Sequence, residues 1–243
     1  MPPPPGTRAR ESELRELLGR IQRIEAGGAD PEGAGDVETG WDGRAGPTRL
    51  GRRAVHEWFG ELRGGRDWRP PLALLVHLAR RAWCSDDARR WTFWVGRGVW
   101  PYPQALARGH ALVPAGGLLA AAPDPAPDGA LFLEHAVFVD PPDDGSRLWA
   151  IDLALRCPSV AAVVADGGGF AMAATRRLQL AAEAGRALAL LARAPWEVAT
   201  RSAASTRWRV SARVAPGSSA PRVQVELLHA KGRALERLAR REG

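Results

Sequence analysis

The residues Gly60-Glu61-Leu62-Arg63-Gly64-Gly65-Arg66-Asp67 carry two glycines at the spacing of a phosphate-cradling loop, G-x-x-x-x-G-K-[ST]. In that loop a lysine reaches the β- and γ-phosphates and a hydroxyl ligates magnesium. Here Arg66 stands for the lysine and Asp67 for the hydroxyl residue. A guanidinium is longer and planar and replaces a compact ammonium poorly. A carboxylate at a helix start competes with a triphosphate for the same positive field. Gly60, Gly65, Arg66 and Asp67 therefore read as a degenerate nucleotide loop, or as an ordinary glycine-rich turn between a strand and a helix. Asp166 closes the apolar run Val160-Ala161-Ala162-Val163-Val164-Ala165. That is the place of a Walker B acid, which holds magnesium beside the phosphates. It is equally the place of a polar residue leading into the turn Gly167-Gly168-Gly169. At the end of the run WTFWVG, where an ATPase of this type often keeps a water-activating glutamate, stand Val95, Gly96, Arg97 and Gly98.

Other chemistry is thin. His56, His77, His110, His135 and His229 are scattered, and no Cys or His falls at metal-ligand spacing. No G-x-S-x-G nucleophile elbow occurs. No catalytic residue, metal or cofactor is expected, and no enzymatic activity.

The elements that must position these residues follow from hydrophobic period. Ala54–Phe59, Trp91–Gly96, Val160–Ala165 and Ala187–Ala192 read as strands, the last two as apolar runs buried on both faces. Residues 130–139 read as a further strand, ending in the turn Asp140–Gly145. Residues 68–83, 147–157 and 171–184 have a helical pattern, with Pro70 and Pro71 tolerated in a first turn and Ser146 as a cap. Arg207–Val214 and Arg222–Leu227 alternate at period two around APGSSAP, which predicts a β-hairpin. Strands alternating with helices predict a parallel sheet with an antiparallel edge. Residues 11–25 place Leu14, Leu17, Leu18, Ile21 and Ile24 on one helical stripe, either docked on the domain or free to bind a partner. Residues 26–53 read as loop.

The 243 residues correspond to one domain with tails. The chain is 45% apolar and 25% charged, which excludes wholesale disorder. The longest nearly uncharged apolar stretch is residues 111–122, interrupted by Pro114 and two glycines. A spanning helix needs roughly 18 residues or more, so no membrane span is expected. The opening MPPPPGTRAR has no apolar signal core, so a cytoplasmic protein is expected. Cys84 and Cys157, both in apolar contexts, read as buried reduced thiols.

Lys and Arg number 34 against 27 Asp and Glu, a net charge of +7. A basic balance favours an anionic partner such as nucleic acid. Yet all bases but Lys231 are arginine, beside abundant Ala, Gly and Pro, as GC-rich coding also yields. Arg207, Arg209, Arg213 and Arg222 on the hairpin, with Lys231, Arg233, Arg237, Arg240 and Arg241 after it, are the residues expected to touch DNA or a partner. The alternative is a solvated basic surface. Trp208 alternates with Arg207 and Arg209, so Trp and Arg face opposite ways. It reads as a core tryptophan under a basic face, or as a stacking platform for single strands.

The order of a G-x4-G loop after a strand, an apolar strand ending in Asp166, a helix, a strand and a hairpin resembles the ATPase core of RecA. Four stretches are more specific: Ala54–Gly60 (AVHEWFG), Arg147–Arg156 (RLWAIDLALR), Ala173–Gly185 (AATRRLQLAAEAG) and Ser202–Val210 (SAASTRWRV). Through these, residues 50–230 resemble the ImuA family, RecA-like and SulA-like accessory proteins of bacterial inducible-mutagenesis cassettes.

The resemblance implies a RecA-like P-loop NTPase core, α/β, with a mostly parallel sheet flanked by helices and a C-terminal β-hairpin. It implies a non-catalytic scaffold in SOS-induced translesion synthesis. The partners would be an ImuB-like relative of Y-family polymerases and, further, an error-prone polymerase, the RecA filament or DNA. The gap after Asp166 is only Gly167–Phe170, too short for a recombinase DNA loop. Two alternatives stand beside this reading: a SulA-like inhibitor of cell division, and a residual ATP-binding repair protein. The expected organisation is an N-terminal arm over 1–44, a core domain over 45–230 and a basic tail over 231–243.

Overall fold

The run Val160–Ala165 is at most 1% exposed at every residue, which puts this strand in the middle of the molecule. The computed structural model describes residues 35–65, 67–85, 91–107, 110–123, 129–214 and 221–231. Gly35 apart, these belong to one compact unit, Asp36–Gly243. The amphipathic stretch 11–25 and the tail beyond Lys231 lie outside the described residues.

The strands are β1 (Asp36–Glu38), β2 (Arg49–Gly51), β3 (Ala54–Phe59), β4 (Glu61–Gly64), β5 (Asp67–Arg69), β6 (Trp91–Val95), β7 (His110–Ala115), β8 (Leu118–Pro123), β9 (Ala136–Val139), β10 (Val160–Asp166), β11 (Leu188–Arg193), β12 (Thr206–Val214) and β13 (Pro221–Ala230). The helices are α1 (Leu72–Cys84), α2 (Pro103–Ala107), α3 (Gly129–Glu134), α4 (Asp144–Arg156) and α5 (Met172–Gly185).

Among the described residues one large sheet has the order β7-β8-β13-β12-β3-β11-β10-β6-β9. From β12 to β9 every neighbour is parallel. The strands β13, β8 and β7 continue it antiparallel. The fold is thus mixed α/β, a large and mostly parallel central sheet flanked by helices. One face packs on α1 through Leu74, Leu75, Leu78 and Trp83, in a core that includes Trp58, Trp94 and Trp208. The other packs on α4 and α5 through Ile151, Leu155, Leu178 and Ala182.

Local chemistry explains the boundaries. Pro70 and Pro71 lack the N–H a preceding turn would need, and α1 starts directly after them. Helix α4 is capped by Asp143, whose carboxylate accepts from the Ser146 backbone N–H at 2.8 Å, so Asp143 and not Ser146 is the cap. The expected single strand over 130–139 is instead α3 followed by β9. Phe132 of α3 is fully buried and packs its ring 5.5 Å from that of Trp83. Tertiary burial of one aromatic therefore decides a segment whose local pattern reads as strand.

Residues 26–53 are not all loop. β1 and β2 pair, and Trp41 between them donates Nε1–H to the Leu112 carbonyl at 2.8 Å. The apolar stretch 111–122 is the hairpin β7–β8, turned by Gly116 and Gly117 at φ +64° and +78°. Cys84 and Cys157 are exposed, since both stand where a helix runs out of the core.

Candidate functional site

Ligands of parallel α/β sheets bind beyond the carboxyl ends of the strands. At the end of β3 the expected loop is replaced by a two-stranded ribbon. Glu61 pairs with Arg69, Leu62 with Trp68 and Gly64 with Asp67. The glycines are explained by this ribbon. A Cβ on Gly60 would lie 2.0 Å from the Arg69 carbonyl oxygen, so Gly60 permits the close approach at the ribbon base. Gly65 has φ +57° at its tip. Asp67 opens β5 and is not in a helix turn. Arg66 lies outside the described residues. The strand-to-helix passage that a phosphate loop needs does not occur, because Asp67–Arg69 return as a strand and Pro70-Pro71 delay the helix.

Asp166 stands at the tip of β10 as expected, and both its oxygens are taken. Oδ1 accepts from the Gly168 N–H at 2.9 Å. Oδ2 faces Arg147 Nη1 at 3.4 Å. Arg147 also donates to the Gly168 carbonyl at 2.6 Å, lies 3.2 Å from Asp144 and packs over the Phe170 ring at 5.1 Å. A metal here would have to displace a guanidinium. On the neighbouring tip, a Cβ on Gly96 would come 3.1 Å from the Asp166 Cβ, and Arg97 Nε donates to Asp140 at 2.7 Å.

The ends of β3 and β11 and the start of β12 hold a charged cluster that sequence reasoning missed. Glu57 and Arg193 are both 0% exposed. Arg193 Nη1 and Ser202 Oγ each donate to Glu57 Oε1 at 2.7 Å. Arg207 Nε donates to Oε2 at 2.7 Å. Arg193 also donates to Glu197 at 3.0 Å and to the Phe170 carbonyl at 3.0 Å. Glu197 in turn accepts from the Gly169 N–H at 2.7 Å. Two acids and two arginines cancel. Burial works against the Arg193 charge, but the Glu57 carboxylate beside it holds its pKa above the ordinary value. Ser202 Oγ is engaged as donor to Glu57 and as acceptor from the Ala204 N–H at 3.1 Å. Its hydroxyl faces a carboxylate already neutralised by arginines, so the pair is not a nucleophile with its base. The cluster is a satisfied internal plug.

The histidines follow the same logic. His56 bridges Thr206 Oγ1 at 2.7 Å and the Gly51 carbonyl at 2.9 Å, and His77 stacks on Trp41 at 5.2 Å. Among the described residues no group of three or more Cys, His, Asp or Glu is arranged to hold a metal.

The basic residues divide. Arg207, expected at an outer contact, is built into the plug and lies 4.8 Å over the Phe59 ring. Trp208 is 4% exposed and stacks on Trp58 at 5.6 Å, so it is core and no stacking platform. Arg209 pairs with Glu226 at 2.9 Å. Arg213 is exposed, Arg222 half-buried, and Lys231 donates to the Ser202 carbonyl at 2.5 Å. Arg233, Arg237, Arg240 and Arg241 lie outside the described residues.

Neither a protein-family model nor a curated protein matches this chain. Among solved structures, the crystal structure of SulA from Pseudomonas aeruginosa is similar at 23% identity and a TM-score of 0.37, over 51% of this chain and 86% of that one. At that score the likeness does not identify a fold, and the α/β description rests on the strand order. No helix among the described residues is long and apolar enough to cross a membrane.

One further surface is apolar. On the outer side of the α4–α5 pair, Trp149 is 60% exposed, Leu153 54% and Leu180 44%. Between the helices, Arg177 and Arg156 donate to Asp152 at 3.2 Å. Burial would raise the Asp152 pKa, but these hydrogen bonds outweigh it and hold the carboxyl below its ordinary value.

Proposed function

We propose that this chain is a non-catalytic, ImuA-like accessory protein of damage-induced translesion synthesis, built on a RecA-like core. It binds an ImuB-like partner and leaves the chemistry to other subunits. The observation that carries the reading is the closed carboxyl end of the sheet. A ribbon occupies the position of the phosphate loop, an arginine occupies the Walker B carboxylate, and a neutral plug joins the ends of β3 and β11 to the start of β12. Such a sheet keeps its core without a nucleotide.

The four stretches that resemble the ImuA family support the rest, because they meet in space. Ser202 Oγ bonds Glu57, and the Ala203 N–H bonds Thr175 Oγ1 at 2.9 Å. The Val55 N–H bonds Gln179 Oε1 at 2.9 Å, and Arg177 bonds Asp152 across the helix pair. Segments separated by up to about 150 residues thus form one connected unit, which is what a shared fold requires of a shared set of motifs.

The test is co-purification of the full chain with an ImuB-like protein, with and without ATP and magnesium, beside a titration of labelled ATP. The expected result is a complex indifferent to nucleotide and no saturable ATP binding. ATP hydrolysis above background that Asp166→Asn abolishes would overturn the reading. Filamentous growth on expression, with no effect on mutagenesis, would move it to a cell-division inhibitor.

A further inference from the structure

We propose that the open face of β12, β13, β8 and β7 binds the phosphodiester backbone of duplex nucleic acid, centred on Arg213 and Arg222. The site lies on the sheet extension, away from the apolar α4–α5 surface, and stands independently of the partner reading.

Side chains alternate along a strand. Trp208 and Val210 of β12 and Val223 and Val225 of β13 turn into the core. Arg209, Ser211 and Arg213 of β12, with Arg222, Gln224 and Glu226 of β13, turn the other way. The helices on that side, α4 and α5, pack on β10, β6, β3 and β11. Beyond them, among the described residues of this face, Arg213 and Glu226 are exposed and Ser211, Arg222 and Gln224 half-buried.

The register sets Arg213 directly opposite Arg222. Like charges in that relation destabilise a sheet. Neither guanidinium has a carboxylate partner among the described residues. Arg213 Nε donates to Gln224 Oε1 at 2.7 Å, and Arg222 Nη1 to the Ala115 carbonyl at 3.3 Å. On this face Arg207 is neutralised by Glu57 and Arg209 by Glu226, and the Glu61 carboxylate accepts from the Ala212 N–H, the residue before Arg213. The core gains nothing from two uncompensated charges on adjacent strands, whereas a bound anion would relieve them.

The surroundings select the anion. On the next strands, Ala120 stands opposite Arg222 and Val113 opposite Ala120, so the face continues without charge. Around Arg213 and Arg222 its residues on β12 and β13 are Arg209, Ser211, Gln224 and Glu226, with no ring among them; the one ring on these strands' side of the sheet, the exposed His229, stands at the far end opposite Arg207. A pair of adjacent arginines with no ring beside them suits the phosphates on the outside of a duplex, without sequence preference. In sequence the positive charge continues directly from β13 through Lys231, Arg233, Arg237, Arg240 and Arg241.

The test is fluorescence anisotropy of a short mixed-sequence DNA duplex with the full chain at rising salt. The expected result is binding at about 50 mM salt whose log K falls linearly with log salt. In Arg213→Gln/Arg222→Gln the affinity falls about tenfold and the slope becomes shallower by about two. Without DNA the melting temperature of that variant holds or rises, because a repulsion is gone. Gln224→Glu, which supplies a carboxylate beside Arg213 and removes no arginine, weakens binding in the same direction. Arg176→Gln on α5 leaves it unchanged. No binding at low salt, or an unaltered affinity and slope in both variants, would overturn the proposal. Equal competition by polyglutamate would assign the face to an acidic protein and also overturn it. A preference for single-stranded oligothymidine would do the same.

Discussion

Glu57 and Arg193 come from strands whose other residues are almost all apolar, and they meet 136 positions apart. Removing one member of such a buried pair strands the other charge, which costs about 3–5 kcal/mol. Arg193→Met is therefore expected to lower unfolding free energy by about that much in a urea titration. Asp166→Asn, at a partly exposed pair, is expected to cost about 1 kcal/mol. An ATPase would show the reverse emphasis, with the Walker B acid critical for activity. Asp152 belongs to a different class, because its pKa is held below the unfolded value by Arg177 and Arg156. Its contribution is present above the unfolded carboxyl pKa of about 4 and is lost as pH falls through the lower folded value. Asp152→Asn should then cost about 1 kcal/mol at neutral pH, and the gap to wild type should close in denaturation series once the pH falls below the lowered folded pKa. A cost that stays constant down to that pH would contradict the assignment. Glu57 was visible in the sequence as a charge inside AVHEWF, but no spacing rule ties it to Arg193, Ser202 and Arg207. Asp166 was legible because strand ends announce themselves; that Arg147 occupies its carboxylate was not.

A pattern of two glycines acquires its meaning from the element that follows it. G-x-x-x-x-G before a helix cradles phosphate; before Asp67-Trp68-Arg69 and two prolines it is the base and tip of a ribbon. Gly60 and Gly65 consequently differ in kind. The first has backbone 2.0 Å from where a Cβ would be, the second has open space and φ +57°. Gly60→Ala is expected to cost about 3 kcal/mol by forcing the ribbon away from β3. Gly65→Ala is expected to cost about 1 kcal/mol from φ alone. Thermal melts of the two variants check the order, and equal losses would refute the ribbon account. The same dependence on context decides what else could be read. β3, β6, β10, β11, the closing hairpin and helices α4 and α5 were legible because their burial matches their period. β1–β2, β7–β8 and α3 were not. Their formation depends on contacts with α1 and the sheet, through Trp41, Leu112 and Phe132, which no local window contains.

The two outer surfaces of the sheet layer differ. The face of β12 and β13 is basic, whereas the α4–α5 side offers Trp149 and Leu153 one helical turn apart, both more than half exposed. Exposed tryptophan on a rigid helix is what interface cores draw on, while a solvated helix face has no use for it. Truncating both residues leaves the core untouched, so stability should change by no more than about 0.5 kcal/mol per site. Trp149→Ala/Leu153→Ala should nonetheless lower capture of the proposed ImuB-like partner about tenfold or more in a quantitative pull-down. Duplex binding through Arg213 and Arg222 should be unchanged in the same variant, and the converse should hold for the arginine pair. If one set of substitutions moves both activities, the two surfaces do not act separately, and a single continuous interface replaces them. If neither moves partner capture, the apolar side of α4 and α5 is not where the proposed accessory function is exercised.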